Sequence, residues 1–181
     1  MKSQNFLKKN LILKINSVLE LKILTAKDVS IKYVNWLKNP NIMKYTEQKN
    51  LKHNLASTKN FVAQKLKSDC DFLFGIFYKK KHIGNIKLGP INWKKFETQI
   101  SFFIGEESLW GKSIIPQVIE KLIEYSSIKL SLNEINAGYY EKNFASAKVF
   151  EKCLFKKVSE KIKYDKKNEK YFKVIYVNKK I

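Results

Sequence analysis

The chain has no arginine: all 36 of its basic residues are lysine, against 16 acidic ones, for a formal net charge of +20. Arginine is the side chain that forks onto guanine edges and clamps phosphates in pairs. Its absence, with lysines spread from end to end and no basic block set against a neutral remainder, argues against a nucleic-acid footprint. A solvated surface written in AT-rich codons explains the charge better, since Asn, Ile, Phe and Tyr are abundant too. Cysteine is nearly missing. Cys70 and Cys153 stand far apart and without a CxxC partner, which excludes a disulfide framework. Only two histidines, His53 and His82, accompany them, so no metal-ligand spacing exists and no metal is expected. Three prolines and six glycines leave no room for a flexible linker. No apolar run approaches the roughly 18 residues that a membrane helix needs. The polar start, Met1 to Lys9, followed by a short apolar stretch, Leu11 to Ile15, is unlike a secretory signal, so a cytoplasmic location and no membrane partner are expected.

What is present is enough apolar material for one packed domain: 181 residues, 44% hydrophobic and 13% aromatic. Residues 1–18 read as a frayed extension, and 19–181 as one domain. Leu19 to Leu24 forms a strand. Thr25 and Asp28 make a near capping box for a helix with Val29, Tyr33, Trp36 and Leu37 on one face, ended before Asn39-Pro40. Asn54 to Ser57 opens a second helix carrying Phe61, Val62 and Leu66. Strand chemistry follows at Phe72 to Tyr78 and His82 to Leu88, a hairpin across Lys79 to Lys81, and then at Glu97 to Ile104. Val118, Ile119, Leu122, Ile123 and Tyr125 mark an amphipathic helix that starts near Pro116. A strand at Asn133 to Tyr140, a helix at Phe144 to Lys152, and a hairpin of Lys157 to Tyr164 with Tyr171 to Val177 close the chain. Strands in a meander with helices at the start and end make an α+β plan.

The stretch Ile104 to Pro116 joins a strand to a helix. Its backbone N–H groups and the helix dipole point at whatever docks there, and Lys112 adds a full charge. Trp110-Gly111-Lys112-Ser113-Ile114-Ile115 resembles the acetyl-coenzyme A loop of the GNAT acetyltransferase superfamily, Gln/Arg-x-x-Gly-x-Gly/Ala, in the form common among the ribosomal-protein alanine acetyltransferases. Asn143 to Phe155 is similar to that subgroup's Asn-x-x-Ser…Glu-Lys-x-Gly-Phe segment, and Phe74 to Gly89 with Ile100 to Gly105 to its central meander. The resemblance spans Leu19 to Phe155. It implies the GNAT fold, a single domain with a mixed, mostly antiparallel central sheet flanked by helices, and transfer of an acetyl group from acetyl-CoA to an amine.

It also implies roles. Main-chain groups at Phe102, Phe103 and Ile104 pair with the pantetheine arm; amides from Gly111, Lys112, Ser113, Ile114 and Ile115 hold the pyrophosphate, with Trp110 in the same cofactor-binding loop; Asn143 bonds the pantetheine near the sulfur. Ser113, Ile115 and Leu154 stand where the pattern has Gly, or Gly/Ala, and Pro116 removes an N–H. Phe150 stands where many members have a tyrosine that protonates the thiolate, leaving Tyr139 or Tyr140 for that proton. Glu47, after the first helix, and Glu97, at the start of the third meander strand, are the candidate bases. His82 is expected to face solvent, and Trp36 and Trp93 are core or stacking residues. The Tyr33 to Pro40 entry and Gly84 to Asn92 resemble a bacterial branch acting on amino sugars or nucleotide-linked amino sugars. The alternatives are acetylation of a protein N-terminus and a non-catalytic CoA-binding or nucleic-acid-binding domain. Acetyl-CoA and a small amine are thus the expected partners, nucleic acid is not, and a homodimer is compatible with the reading.

Overall fold

A computed structural model describes residues 8–165 and 169–181. Eight strands form one sheet in the order β1-β2-β3-β4-β5-β6-β8-β7. The strands are β1 (Ile12–Lys14), β2 (Leu19–Ile23), β3 (Phe72–Tyr78), β4 (Lys81–Leu88), β5 (Glu97–Ile104), β6 (Glu134–Tyr140), β7 (Lys156–Asp165) and β8 (Lys170–Lys180). The helices are α1 (Ile31–Lys38), α2 (Pro40–Met43), α3 (Leu55–Lys67), α4 (Ile114–Leu130) and α5 (Phe144–Lys152). Every strand pair is antiparallel except β5 with β6, so the sheet is mixed and mostly antiparallel, as expected.

Alternation along the strands sends two apolar sets to opposite faces. Phe74, Ile76, Ile86, Ile100 and Ile135 join Val118, Ile119 and Leu122 of α4 and Phe150 of α5 in the main core. Leu73, from the other face of β3, joins Tyr33, Val34, Trp36 and Leu37 of α1 and Val62 of α3 in a second core. Helices α1 to α3 therefore cover one face, and α4 and α5 the other.

Three local expectations shift. Residues 1–7 of the expected extension lie outside the described residues. The rest is tied to the sheet: Ile12–Lys14 pairs with Glu20–Lys22, and the Asn16 side chain closes that hairpin by accepting from the Val18 and Leu19 amides. Lys8 donates to the carbonyls of Lys65 and Ser68, acceptors that the C-terminus of α3 leaves open, and to that of Asp71 beyond it. The capping box of Thr25 and Asp28 closes a 3-10 turn, Ala26–Asp28, while α1 takes Ser30 as its own cap. Pro40 does not only end a helix. It opens α2, where its missing N–H costs nothing.

The end of α5 explains the departure at Leu154. Leu154 N–H bonds the Glu151 carbonyl at 2.9 Å, Phe155 N–H bonds the Phe150 carbonyl at 2.9 Å, and the Phe150 and Phe155 rings meet at 5.2 Å. This is a Schellman stop with its apolar contact, and Leu154 holds the left-handed position at φ 60°. Leucine pays there for a Cβ that glycine lacks, and it is 74% exposed, so little packing is lost without it. Leu154→Gly is therefore expected to stabilise the protein by about 1 kcal/mol, read as a higher urea midpoint at unchanged slope.

Candidate active site

Pairing between β5 and β6 runs only from Glu97, Thr98 and Gln99 to Glu134, Ile135 and Asn136. Beyond it, β5 stays paired with β4 up to Ile104 and β6 with β8 up to Tyr140, so the two central strands diverge. Phe150 of α5 stands between them on the main-core side, its ring 5.7 Å from Phe102 and 5.8 Å from Tyr139. The gap opens a cleft of about 1650 Å³.

The ladder decides which backbone groups the cleft receives. Gln99 accepts from Gly89 N–H, and Gly105 N–H donates to Ile83, so odd-numbered residues of β5 bond β4. In an antiparallel pair the residues between them turn the other way. Ile100, Phe102 and Ile104 thus aim main-chain groups into the gap, whereas those of Phe103 are engaged with β4. The Ile104 carbonyl accepts from Trp110 Nε1 at 3.0 Å, which ties the loop to the strand end.

At the mouth of the gap lies the N-terminus of α4. Gly111 (φ 75°) and Ser113 (φ 53°) both take the left-handed conformation, so the site where the family pattern has glycine keeps a glycine-like backbone despite its side chain. Ile114 and Ile115 are buried in the main core, which turns their bulk away from the opening and leaves their amides at the helix start. Pro116 is the third helical residue, where an N–H is unbonded within the helix in any case. Lys152 of α5 places its ammonium 3.2 Å from Ser113 Oγ. A cation at the positive end of a helix is unfavourable unless an anion joins the two. With Lys112 and Lys148, which line the same cleft, these ammonium groups gather positive charge at the head of α4, and Lys152 is one that the sequence did not single out.

Asn143 caps α5 by accepting from Ser146 N–H at 3.1 Å. The cap occupies Oδ1, so Nδ2 is the end of this cleft-lining side chain offered to a ligand. Phe102, Phe103, Ile104, Trp110, Gly111, Lys112, Ser113, Ile114 and Ile115 line the cleft as well. Of the candidate proton-transfer groups, Glu47, Tyr139 and Tyr140 line it. Burial, and after it the charges of Glu47 and Asp165, push the Tyr140 phenol up, so it keeps its proton. Its ring stacks on Phe172 at 4.7 Å. Tyr139 stacks on Phe150. Glu97 is not brought to the cleft: it sits at the paired end of β5 beside Asn92, seven residues or roughly 23 Å of strand from Ile104. Its strand is right, but the gap opens at the other end.

His82 does not face solvent. It lies between Phe77 at 5.1 Å, Trp36 at 5.1 Å and Tyr33 at 5.7 Å, and burial holds it below the usual imidazole range. Trp36 is core, packed on Gly105, and Trp93 is 42% exposed outside the cleft lining.

The model of the acetyltransferase (GNAT) domain matches residues 19–156, well over half of the chain. The chain belongs to the GNAT acetyltransferase family. A curated relative, the probable N-acetyltransferase YjcK of Bacillus subtilis (strain 168), is 28% identical over 96 residues, 52% of this chain and 53% of the relative. The match thus spans about half the length of that relative. Among solved structures, the ribosomal L7/L12 alpha-N-protein acetyltransferase RimL with coenzyme A superposes at a TM-score of 0.85, with 15% identity over 94% of this chain and 98% of the other. The microcin C7 self-immunity acetyltransferase MccE with acetyl-CoA and AMP does so at 0.81, with 19% identity over 96% and 97%. At such identities these two structures speak for the fold alone.

Proposed function

We propose that the protein transfers the acetyl group of acetyl-CoA to a primary amine, carried by an amino sugar or a nucleotide-linked amino sugar. The observation that carries this reading is the divergence of β5 from β6 onto the cationic N-terminus of α4. Coenzyme A has an extended amide-bearing arm and a diphosphate, and the cleft has a free strand edge leading to an anion cradle. The arm pairs with the main chain of Phe102 and Ile104 and with Asn143 Nδ2. The diphosphate meets the amides of Gly111 to Ile115 and the ammonium groups of Lys112 and Lys152. An outward N–H of β5 is then placed to bond the thioester oxygen as negative charge builds on it. The amine nitrogen attacks the thioester carbon, the C–S bond breaks, and the nitrogen gives up a proton, with Glu47 as the acceptor of it. Tyr140 donates to the departing sulfur. A thiol leaves tolerably as its anion, with a pKa of about 8.5 for comparison, so Phe150 is no obstacle. The acceptor enters over Tyr45, Lys87, Gln99, Ser101 and Asn136, cleft residues that offer hydrogen bonds and an aromatic wall suited to a sugar.

Acetyl-CoA binding to the folded state alone raises stability by RT ln(1 + [L]/Kd), about 2.7 kcal/mol at one hundred times Kd. A thermal shift with millimolar acetyl-CoA, followed by free-thiol release across a panel of amines, tests the proposal. Unchanged melting would remove the cofactor role of the loop, and binding without thiol release for any amine would leave a CoA-binding protein instead.

A further inference from the structure

The cleft has a second polar wall, on the sheet face opposite α4 and α5. There residues of α1 to α3, among them Leu37, Ile42, Thr58 and Phe61, line it together with polar side chains of strands β4 and β5. Asn85 and Lys87 of β4 share this face, two residues or about 7 Å apart, and Ser101 of β5 is the cross-strand partner of Lys87. All three line the cleft.

Asn85 is 3% exposed. Its Oδ1 lies 2.7 Å from His82 Nε2, and the same nitrogen lies 3.0 Å from the Gly84 carbonyl. A carbonyl can only accept, so Nε2 carries the hydrogen and Asn85 must turn its oxygen toward it. That orientation leaves Asn85 Nδ2 as a buried donor with no protein partner among the described residues. Buried donors are rarely left so unless a ligand or water completes them. Lys87 is only partly compensated. The nearest carboxylate oxygen, Asp71 Oδ1, is 4.0 Å away, while Oδ2 of the same residue is held by Lys65 and Ser68 at 2.9 Å each. Around the opening, Lys44, Lys52 and Lys163 outnumber Glu47. A polycationic amine would meet repulsion here, and an acceptor carrying an oxyanion would find both charge and donors. The coenzyme does not supply that anion, because its cradle belongs to the opposite face.

Resting on the acetyl-transfer reading, we infer that Asn85, Lys87 and Ser101 form a subsite for a phosphate group of the acceptor, so that the substrate is a phosphate-bearing amine. Asn85 Nδ2 and the Ser101 hydroxyl donate to phosphate oxygens, and Lys87 supplies the countercharge. The phosphate belongs either to a sugar phosphate or to the diphosphate of a nucleotide-linked sugar.

The test is calorimetric titration of the protein, alone and with CoA added, with glucosamine, glucosamine 6-phosphate and UDP-glucosamine. The wild type should bind at least one phosphorylated probe ten or more times tighter than glucosamine. Tighter UDP-glucosamine would mark the nucleotide-linked source, and tighter glucosamine 6-phosphate the sugar phosphate. Lys87→Met should erase the preference. Asn85→Asp keeps the bond to His82 while replacing the donor by a repelling charge, and Ser101→Asp alters an exposed position that folding tolerates; each should reduce phosphorylated binding at least tenfold, with CoA affinity within threefold. Lys129→Met, exposed on α4, should change nothing. Equal binding of the three probes by the wild type, or a preference that survives both Lys87→Met and Ser101→Asp, would overturn the subsite. Failure to bind CoA, with the phosphate preference still carried by Lys87, would sink the acetyl-transfer reading alone.

Discussion

Gly105→Ala is expected to destabilise the protein by about 3 kcal/mol, the upper end for overpacking, and to cost activity with it. A Cβ at this position would lie 2.1 Å from Trp36 Cδ2 and 2.3 Å from Cε2. The indole has nowhere to go: it is 6% exposed and wedged against His82 at 5.1 Å and Phe103 at 6.4 Å. Displacing it also pushes on Phe103, and so on the strand end that lines the cleft. Gly111→Ala is the matched comparison. There an added Cβ meets nothing within 4 Å, and the only cost is the left-handed φ of 75°, about 1 kcal/mol. Urea midpoints of the two variants separate the mechanisms. Equal shifts would mean that Trp36 relaxes freely and that the glycine is not a packing requirement.

Asn143→Asp is expected to lower kcat/KM for acetyl-CoA ten- to a hundredfold, about 1.4 to 2.8 kcal/mol, with stability held. Aspartate caps a helix as well as asparagine does, and its charge suits the N-terminus of α5. What it removes is the Nδ2 donor, replaced by a group that repels the carbonyl oxygens of the arm. Asn143→Ala loses the cap as well, so about 1 kcal/mol of stability should go with the kinetic loss. Urea melts and steady-state rates on the two variants decide the matter. Wild-type kinetics in Asn143→Asp would leave Asn143 as a helix cap and nothing more.

Much of the fold was written locally. Asn54 caps α3 where the sequence opens that helix, and α5 starts at Phe144 as expected, with Asn143 as its cap, because a cap needs only a short side chain and the next three amides. Strands β3 and β5 run from Phe72 to Tyr78 and from Glu97 to Ile104 as their composition predicts. Alternation of apolar residues is likewise a local pattern. The loop before α4 was legible through resemblance, since the spacing of Trp110, Gly111 and Lys112 survives in sequence even with Ser113 in a glycine's place.

The site itself was decided by contacts between distant segments. Glu97 read as a candidate because nothing in β5 tells which end of the strand lies open. That depends on where pairing with β6 stops and on Phe150, 46 residues after Ile104 in the chain, standing between Phe102 and Tyr139. His82 begins a strand beside three lysines and so reads as exposed, yet Trp36 and Phe77 close over it. Lys152 reaches the head of α4 only because α5 packs beside it. Asn85, Lys87 and Ser101 alternate with apolar neighbours like any half-exposed strand residues. Only the register of β4 on β5 makes a wall of them. By itself, then, the sequence determined the main strands and helices and the loop that marks the family, since each is set by residues a few positions apart. The tertiary structure alone decided where the sheet opens and which charges face one another there, because both arise from long-range register and packing that no local pattern encodes.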